Sequence, residues 1–239
     1  MIKPTTIILA LLVVAFATFT LACARKPGTN QSASTTPTAG FSPSSENSSA
    51  SKSRSGNLVE ATSNGDIGYE LAGAGDSTSM NLKVRNKTER VWEVKIEVGT
   101  KLEPAENDVQ QMVVTKEVEV HLEPHDEKSL ELEVSCLDIS KEAPADTNTK
   151  WRIEGSNNLS QFIRCANDVA NEFIARGELD EENRSGLIQF ALWQARGATR
   201  DQWVRFYEEY QDYSREKAEQ SIDEAEPMLK KVTNRCPGL

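Results

Sequence analysis

The sequence predicts an α+β protein. Three observations carry this: apolar residues alternate one-in-two from about Ile67 to about residue 155, they recur at helical spacing beyond it, and residues 27–57 contain only one large apolar side chain, Phe41. A period of two belongs to half-buried strands, and a period near 3.6 belongs to amphipathic helices.

In the alternating part, Trp92, Val94, Ile96 and Val98 share one face, and Glu93, Lys95 and Glu97 the other. Val118, Val120 and Leu122 repeat the pattern, as do Leu130, Leu132, Val134 and Cys136. Shorter segments at 67 (IGYEL), 80 (MNLKVR), 111 (QMVV) and 151 (WRIE) complete about seven strands. Gly73 to Asp76, Asn86-Lys87-Thr88, Gly99-Thr100 and Pro124-His125-Asp126 supply turns between them. Short strands at this spacing predict an antiparallel immunoglobulin-like β-sandwich over 63–155.

The helical part, 156–239, predicts a small three- to four-helix bundle. Leu159, Phe162, Ile163, Ala166, Val169, Ala170, Phe173 and Ile174 form a first stripe, opened by Asn157 or Asn158 and stopped by Gly177. A second helix runs from about Glu182 to Arg196 and stops at Gly197. Thr199 with Gln202 is a capping-box pattern that opens a third, carrying Trp203, Phe206, Tyr207 and Tyr210. Pro227 is expected to kink or restart the last helix.

The N-terminus, MIKPTTIILALLVVAFATFTLACARK, joins a lysine, an apolar run and small residues around Cys23, the layout of an export signal over 1–24. Thr20-Leu21-Ala22-Cys23 resembles a bacterial lipobox, which implies lipidation of Cys23. Ordinary cleavage near Ala22-Cys23-Ala24 and retention of the apolar run as a membrane helix stay open as alternatives. Residues 25–62 are rich in Ser, Thr and Pro and are expected to form a disordered tether. Such a tether holds a body on the order of 30 Å from its anchor. The resulting expectation is a lipid-anchored, extracytoplasmic protein of the cell envelope.

Charge narrows the partners. The net charge is -10, and the acids lie almost wholly beyond residue 57. An acidic body repels phosphate backbones, so nucleic acid is not an expected partner. The membrane, reached through the anchor, and an unidentified envelope or surface partner are.

Beyond Cys23 the chain carries Cys136, Cys165 and Cys236, an odd number for an oxidising compartment. Pairing Cys165 with Cys236 staples the chain end to the bundle and leaves Cys136 over. Pairing Cys136 with Cys165 is the alternative.

The second helix contains LIQFALW, residues 187–193. At 100° per residue Leu187, Ile188, Ala191, Leu192 and Ala195 share one stripe, while Gln189 and Trp193 are neighbours on the opposite side. A helix apolar nearly all round is buried on more than one side, here between the other helices and the sheets.

Ile188-Gln189-Phe190-Ala191-Leu192-Trp193 resembles the T-Q-x-A-(I/V)-W motif of thioester domains in Gram-positive surface adhesins, with Ile188 in place of Thr and Leu192 in place of Ile or Val. That resemblance implies an internal thioester between Gln189 and a cysteine from an upstream β region, here Cys136 in Ser135-Cys136-Leu137-Asp138. Val84-Arg85-Asn86, Gly99-Thr100 and Met112-Val113-Val114 resemble, more loosely, uncharacterised secreted bacterial proteins that pair a β domain with a Q-x-A-x-W helix.

No enzyme signature is complete. The chain has 2 histidines and no G-x-S-x-G or Gly-rich phosphate loop. His121, Glu123 and His125 alternate onto one face, but three ligands in line make a poor tetrahedron and Pro124 interrupts the strand, so no metal site is expected. The expected function is a non-catalytic binding or adhesion module without a cofactor. The alternative is a covalent adhesin-like domain using Cys136 and Gln189.

Overall fold

The computed structural model describes residues 53–74, 78–141, 149–155, 158–236 and 238–239. The protein is a mixed α+β structure with two sheets and five α-helices among these residues. The export signal, Cys23 and most of the tether lie outside them.

The strands are β1 (Arg54–Asn57), β2 (Ile67–Gly73), β3 (Ser79–Asn86), β4 (Trp92–Ile96), β5 (Lys101–Pro104), β6 (Met112–Val114), β7 (Val118–Leu122), β8 (Glu127–Cys136) and β9 (Trp151–Glu154). One sheet has the order β1-β4-β7, with β1 parallel to β4 and β7 antiparallel to it. The other is antiparallel throughout, in the order β2-β3-β8-β6-β5-β9. The alternating pattern is realised in burial: Trp92, Val94 and Ile96 on β4, and Leu132, Val134 and Cys136 on β8, are all enclosed.

Two features of the region before the helices depart from the sequence reading. Residues 54–62, assigned to the tether, form β1 and most of a short helix, α1 (Leu58–Ser63). Asn57 caps α1 by accepting from the Glu60 N–H at 2.8 Å, and Leu58 and Ala61 are buried. Two buried side chains are too few to show a period, so the polar composition hid the element. The strand at β5 was likewise unforeseen; it lies between β6 and β9, where pairing compensates for a sequence, KLEP, with one enclosed side chain, Leu102.

The six-stranded sheet nearly closes on itself through one side chain. The Tyr69 hydroxyl on β2 accepts from the Ile153 N–H at 3.3 Å and donates to the Trp151 carbonyl at 3.4 Å. Tyr69 thus bonds to the β9 main chain where no strand does. Tyr69→Phe is expected to cost about 1–2 kcal/mol and to speed hydrogen exchange at the Ile153 amide. Unchanged exchange there would show that the seam does not depend on this hydroxyl.

The remaining helices are α2 (Leu159–Ala175), α3 (Arg184–Ala195), α4 (Arg200–Tyr210) and α5 (Arg215–Arg235). Gly177 and Gly197, at φ +68 and +88, close α2 and α3. At α3 the Ala198 N–H reaches the Trp193 carbonyl and the Gly197 N–H the Gln194 carbonyl, the paired bonds of a left-handed cap. The Thr199–Gln202 capping box opens α4. Pro227 does not restart a helix: α5 runs through it. The break falls earlier, where Asp212 takes φ 51 and Ser214 caps the next helix by accepting from the Lys217 N–H.

One continuous set of buried side chains runs from the sheets into the helices. Helix α3 touches α2, α5 and β8. At Gly99 the two parts approach closely: a Cβ there would lie 2.7 Å from the Ser160 Cα, at the start of α2, and φ is already +87. Only glycine meets both conditions.

Candidate functional site

The site is assembled where β8 outruns its neighbour. On β8 the main-chain groups alternate in direction. The Thr115 N–H bonds to the Glu133 carbonyl and the Leu137 N–H to the Gln111 carbonyl, so odd-numbered groups face the β6 side. The Val134 N–H bonds to the Thr78 carbonyl, so even-numbered groups face β3. Among the described residues the β3 pairing ends with that bond, and the N–H and C=O of Cys136 point to the same edge of β8.

Gln189 fills that edge. Its Oε1 accepts from the Cys136 N–H at 2.6 Å, and its Nε2 donates to the Cys136 carbonyl at 2.6 Å. The side-chain amide therefore does what the next strand residue would do, and both residues are 0% exposed. Every residue of α3 from Gly186 to Trp193 is buried, as expected for a helix inserted between sheet and helices.

The surroundings hold the latch in place. Phe190 stacks on Tyr207 with ring centroids 5.6 Å apart and meets Trp193, Trp203 and Phe206 edge-on. These contacts fix the rotation of α3, and with it the direction of Gln189. Burial drives the Tyr207 phenol far above its ordinary range, so it stays neutral.

A cleft of about 220 Å³ opens beside the latch, lined by Leu137, Asp138, Trp193, Arg196 and Gln202 among others. Burial pushes the Asp138 carboxyl up, but the Ser140 hydroxyl and N–H donate to it at 2.6 and 3.0 Å and the net result lies below its ordinary value. The Lys141 and Arg196 charges add to this. The sequence reading gave Asp138 no role; the signal that could have found it is the Asp-x-Ser spacing of a side-chain-closed turn.

Comparison with protein-family models, curated proteins and solved structures finds no match. The site is therefore read from its own chemistry.

Of the residues singled out from sequence, Cys136 and Gln189 are brought together, through the main chain of the cysteine. Cys165 on α2 and Cys236 after α5 are joined by a disulfide, with Cα atoms 5.5 Å apart. Cys136 is buried outside that bridge. His121, Glu123 and His125 do not converge. The His121 ring lies between Glu93 (Nδ1, 2.5 Å) and Glu123 (Nε2, 3.0 Å), while His125, at φ 61 in the turn, pairs with Glu89 at 2.9 Å. Among the described residues no group of three such side chains is placed to hold a metal.

Glu123 and then Glu93 hold the His121 imidazole above its ordinary value of 6.5. The folded-state value is raised, so the stability it contributes is complete below the unfolded value and is lost as pH rises through the folded one. In an NMR titration His121 is expected to protonate above 6.5, and Glu123→Gln to bring it back toward that value. A midpoint at the ordinary value in the parent protein would show that the two carboxylates do not act on the ring.

Proposed function

We propose that the protein is an exported envelope lipoprotein, anchored through Cys23 and acting as a non-catalytic binding or adhesion module. The observation that supports this most is the Cys165–Cys236 bridge. Structural disulfides persist in oxidising compartments, and the N-terminal signal and tether lead there. Among the described residues no helix is long and apolar enough to cross a membrane, so attachment falls to the N-terminal segment. At finer resolution, we read the two sheets as a variant of an immunoglobulin-like sandwich and helices α2 to α5 as a small bundle. The shared buried core and the contacts among α2, α3 and α5 support that reading. Feeding producing cells a fatty-acid analogue tests the anchor. Label on the parent chain and none on Cys23→Ala is expected; an unlabelled parent chain removes the lipoprotein reading.

A second reading is favoured by one observation, the contact between the Gln189 carboxamide and Cys136. In it the Cys136 thiolate attacks the Gln189 Cδ, the C–N bond breaks, and Nε2 leaves as ammonia with a proton from the thiol. Burial shields the thioester from water. The step removes the nitrogen that donates to the Cys136 carbonyl, so it forfeits half of the latch. Intact mass of the non-reduced protein decides: a deficit of one ammonia, absent in Cys136→Ala, is the thioester, and a full mass excludes it.

A further inference from the structure

We propose that a charged cleft at the start of α3 binds a small zwitterion: an amino acid, or a short peptide with a free ammonium and a free carboxylate. The cleft has a volume of about 430 Å³, within the range of roughly 300–1,000 Å³ typical of small-molecule sites. Lys116 enters it from the turn before β7, Glu131 and Glu133 from one face of β8, and Glu181, Arg184 and Ser185 from the 3-10 turn and first turn of α3.

The wall charges are unequally satisfied. Arg184 and Glu181 neutralise each other through two bonds of 2.7 Å. Glu133 takes the Thr115 hydroxyl at 3.3 Å on one oxygen. Lys116 and Glu131 make no ion pair among the described residues, and they are more than 4.0 Å from each other. Lys116 acts on Glu181 only from beyond ion-pair distance, so a cation without a direct ion pair and the Glu131 carboxylate share one cleft without neutralising each other.

Ligand chemistry follows by elimination. A simple anion meets three carboxylates, and a simple cation meets Lys116 and Arg184. An apolar molecule strips water from five charges and returns nothing for it. A molecule carrying both charges on separate ends places its carboxylate on Lys116 and its ammonium on Glu131, with the free side of Glu133 beside it. The Ser185 hydroxyl adds a neutral donor or acceptor. The cleft is also pre-shaped: Ser185 lies one helical turn before Gln189, whose bonds to Cys136 hold α3 against β8.

This deepens the binding-module reading by naming a ligand class, and it rests on that reading only for the ligand's role. It is tested with glycylglycine titrated into the full-length protein, followed by backbone amide NMR. Saturable shifts at Glu131, Glu133 and Arg184 are expected at millimolar ligand. N-acetylglycine, which lacks the ammonium, and glycinamide, which lacks the carboxylate, are each expected to bind about tenfold or more weakly. Lys116→Met and Glu131→Gln, both on the surface, are expected to weaken glycylglycine to the same degree and leave the fold intact. Shifts that do not saturate, that sodium chloride of equal ionic strength reproduces, or that survive both substitutions overturn the proposal. Any of these outcomes leaves the fatty-acid labelling result unchanged, so failure of this cleft is distinct from failure of the anchor.

Discussion

Gln189→Ala is expected to destabilise the protein by about 3–5 kcal/mol, the largest effect of any single substitution in the site. The magnitude comes from what is left behind. The Cys136 N–H and C=O are both buried and both bonded to the Gln189 amide, and each main-chain group left without a partner costs about 1–3 kcal/mol. Removal of most of the side chain also opens a cavity in a helix enclosed on every side. Cys136→Ala is expected to cost only about 1 kcal/mol, because the latch uses the main chain of that residue and not its sulfur. Urea unfolding of the two variants measures the contrast. Equal losses would refute the latch as the role of Gln189.

Gln189→Glu sharpens the same point through pH. A carboxylate accepts from the Cys136 N–H but offers nothing to the Cys136 carbonyl; a protonated carboxyl does both. Burial and the facing carbonyl raise the folded-state value above the unfolded one, so the native state binds more protons. The variant is therefore most stable in acid and loses stability as pH rises through the unfolded range and up to the folded value. Unfolding midpoints that fall from pH 4 to pH 7 relative to the parent are expected; a difference independent of pH would sink the explanation.

The second large effect belongs to the disulfide. Cys165 and Cys236 are 71 residues apart, so the bridge closes a long loop in the unfolded chain. Replacing both by Ser is expected to cost about 2–4 kcal/mol, the upper part of that range following from loop length in the chain-entropy account. The variant still folds, because Arg235 holds Glu172 with bonds of 2.6 and 2.8 Å and Val232 stays packed next to the chain end. Denaturant titration with and without reductant checks this: the reduced parent protein is expected to match the double variant, and an unchanged midpoint in both would deny the bridge a stabilising role.

Much of the local structure was legible without coordinates. The parity of β8 places Cys136 inward, because a strand with one enclosed face must write that face into alternate residues. Gly177 and Gly197 mark helix ends through their tolerance of positive φ, and Thr199 with Gln202 marks a helix start. The apolar circumference of α3 shows that Gln189 faces a second partner. These are short-range consequences of burial and backbone geometry, and a single chain records them directly.

What the sequence left open was pairing. It reported that Gln189 is an amide in an apolar helix, which requires a hydrogen-bonded partner, but the partner lies 53 residues away and is a peptide group that every residue possesses. Only the tertiary structure shows that this peptide group is bonded by the Gln189 side chain and not by a strand among the described residues. The same holds for Tyr69 and β9, for β1 beside β4, and for the cleft that Lys116 and Glu131 share: each charge alone reads as a solvated face. Periodicity states how far each side chain is removed from water; which atoms meet inside is decided by where strands end and helices dock, and no local pattern encodes that.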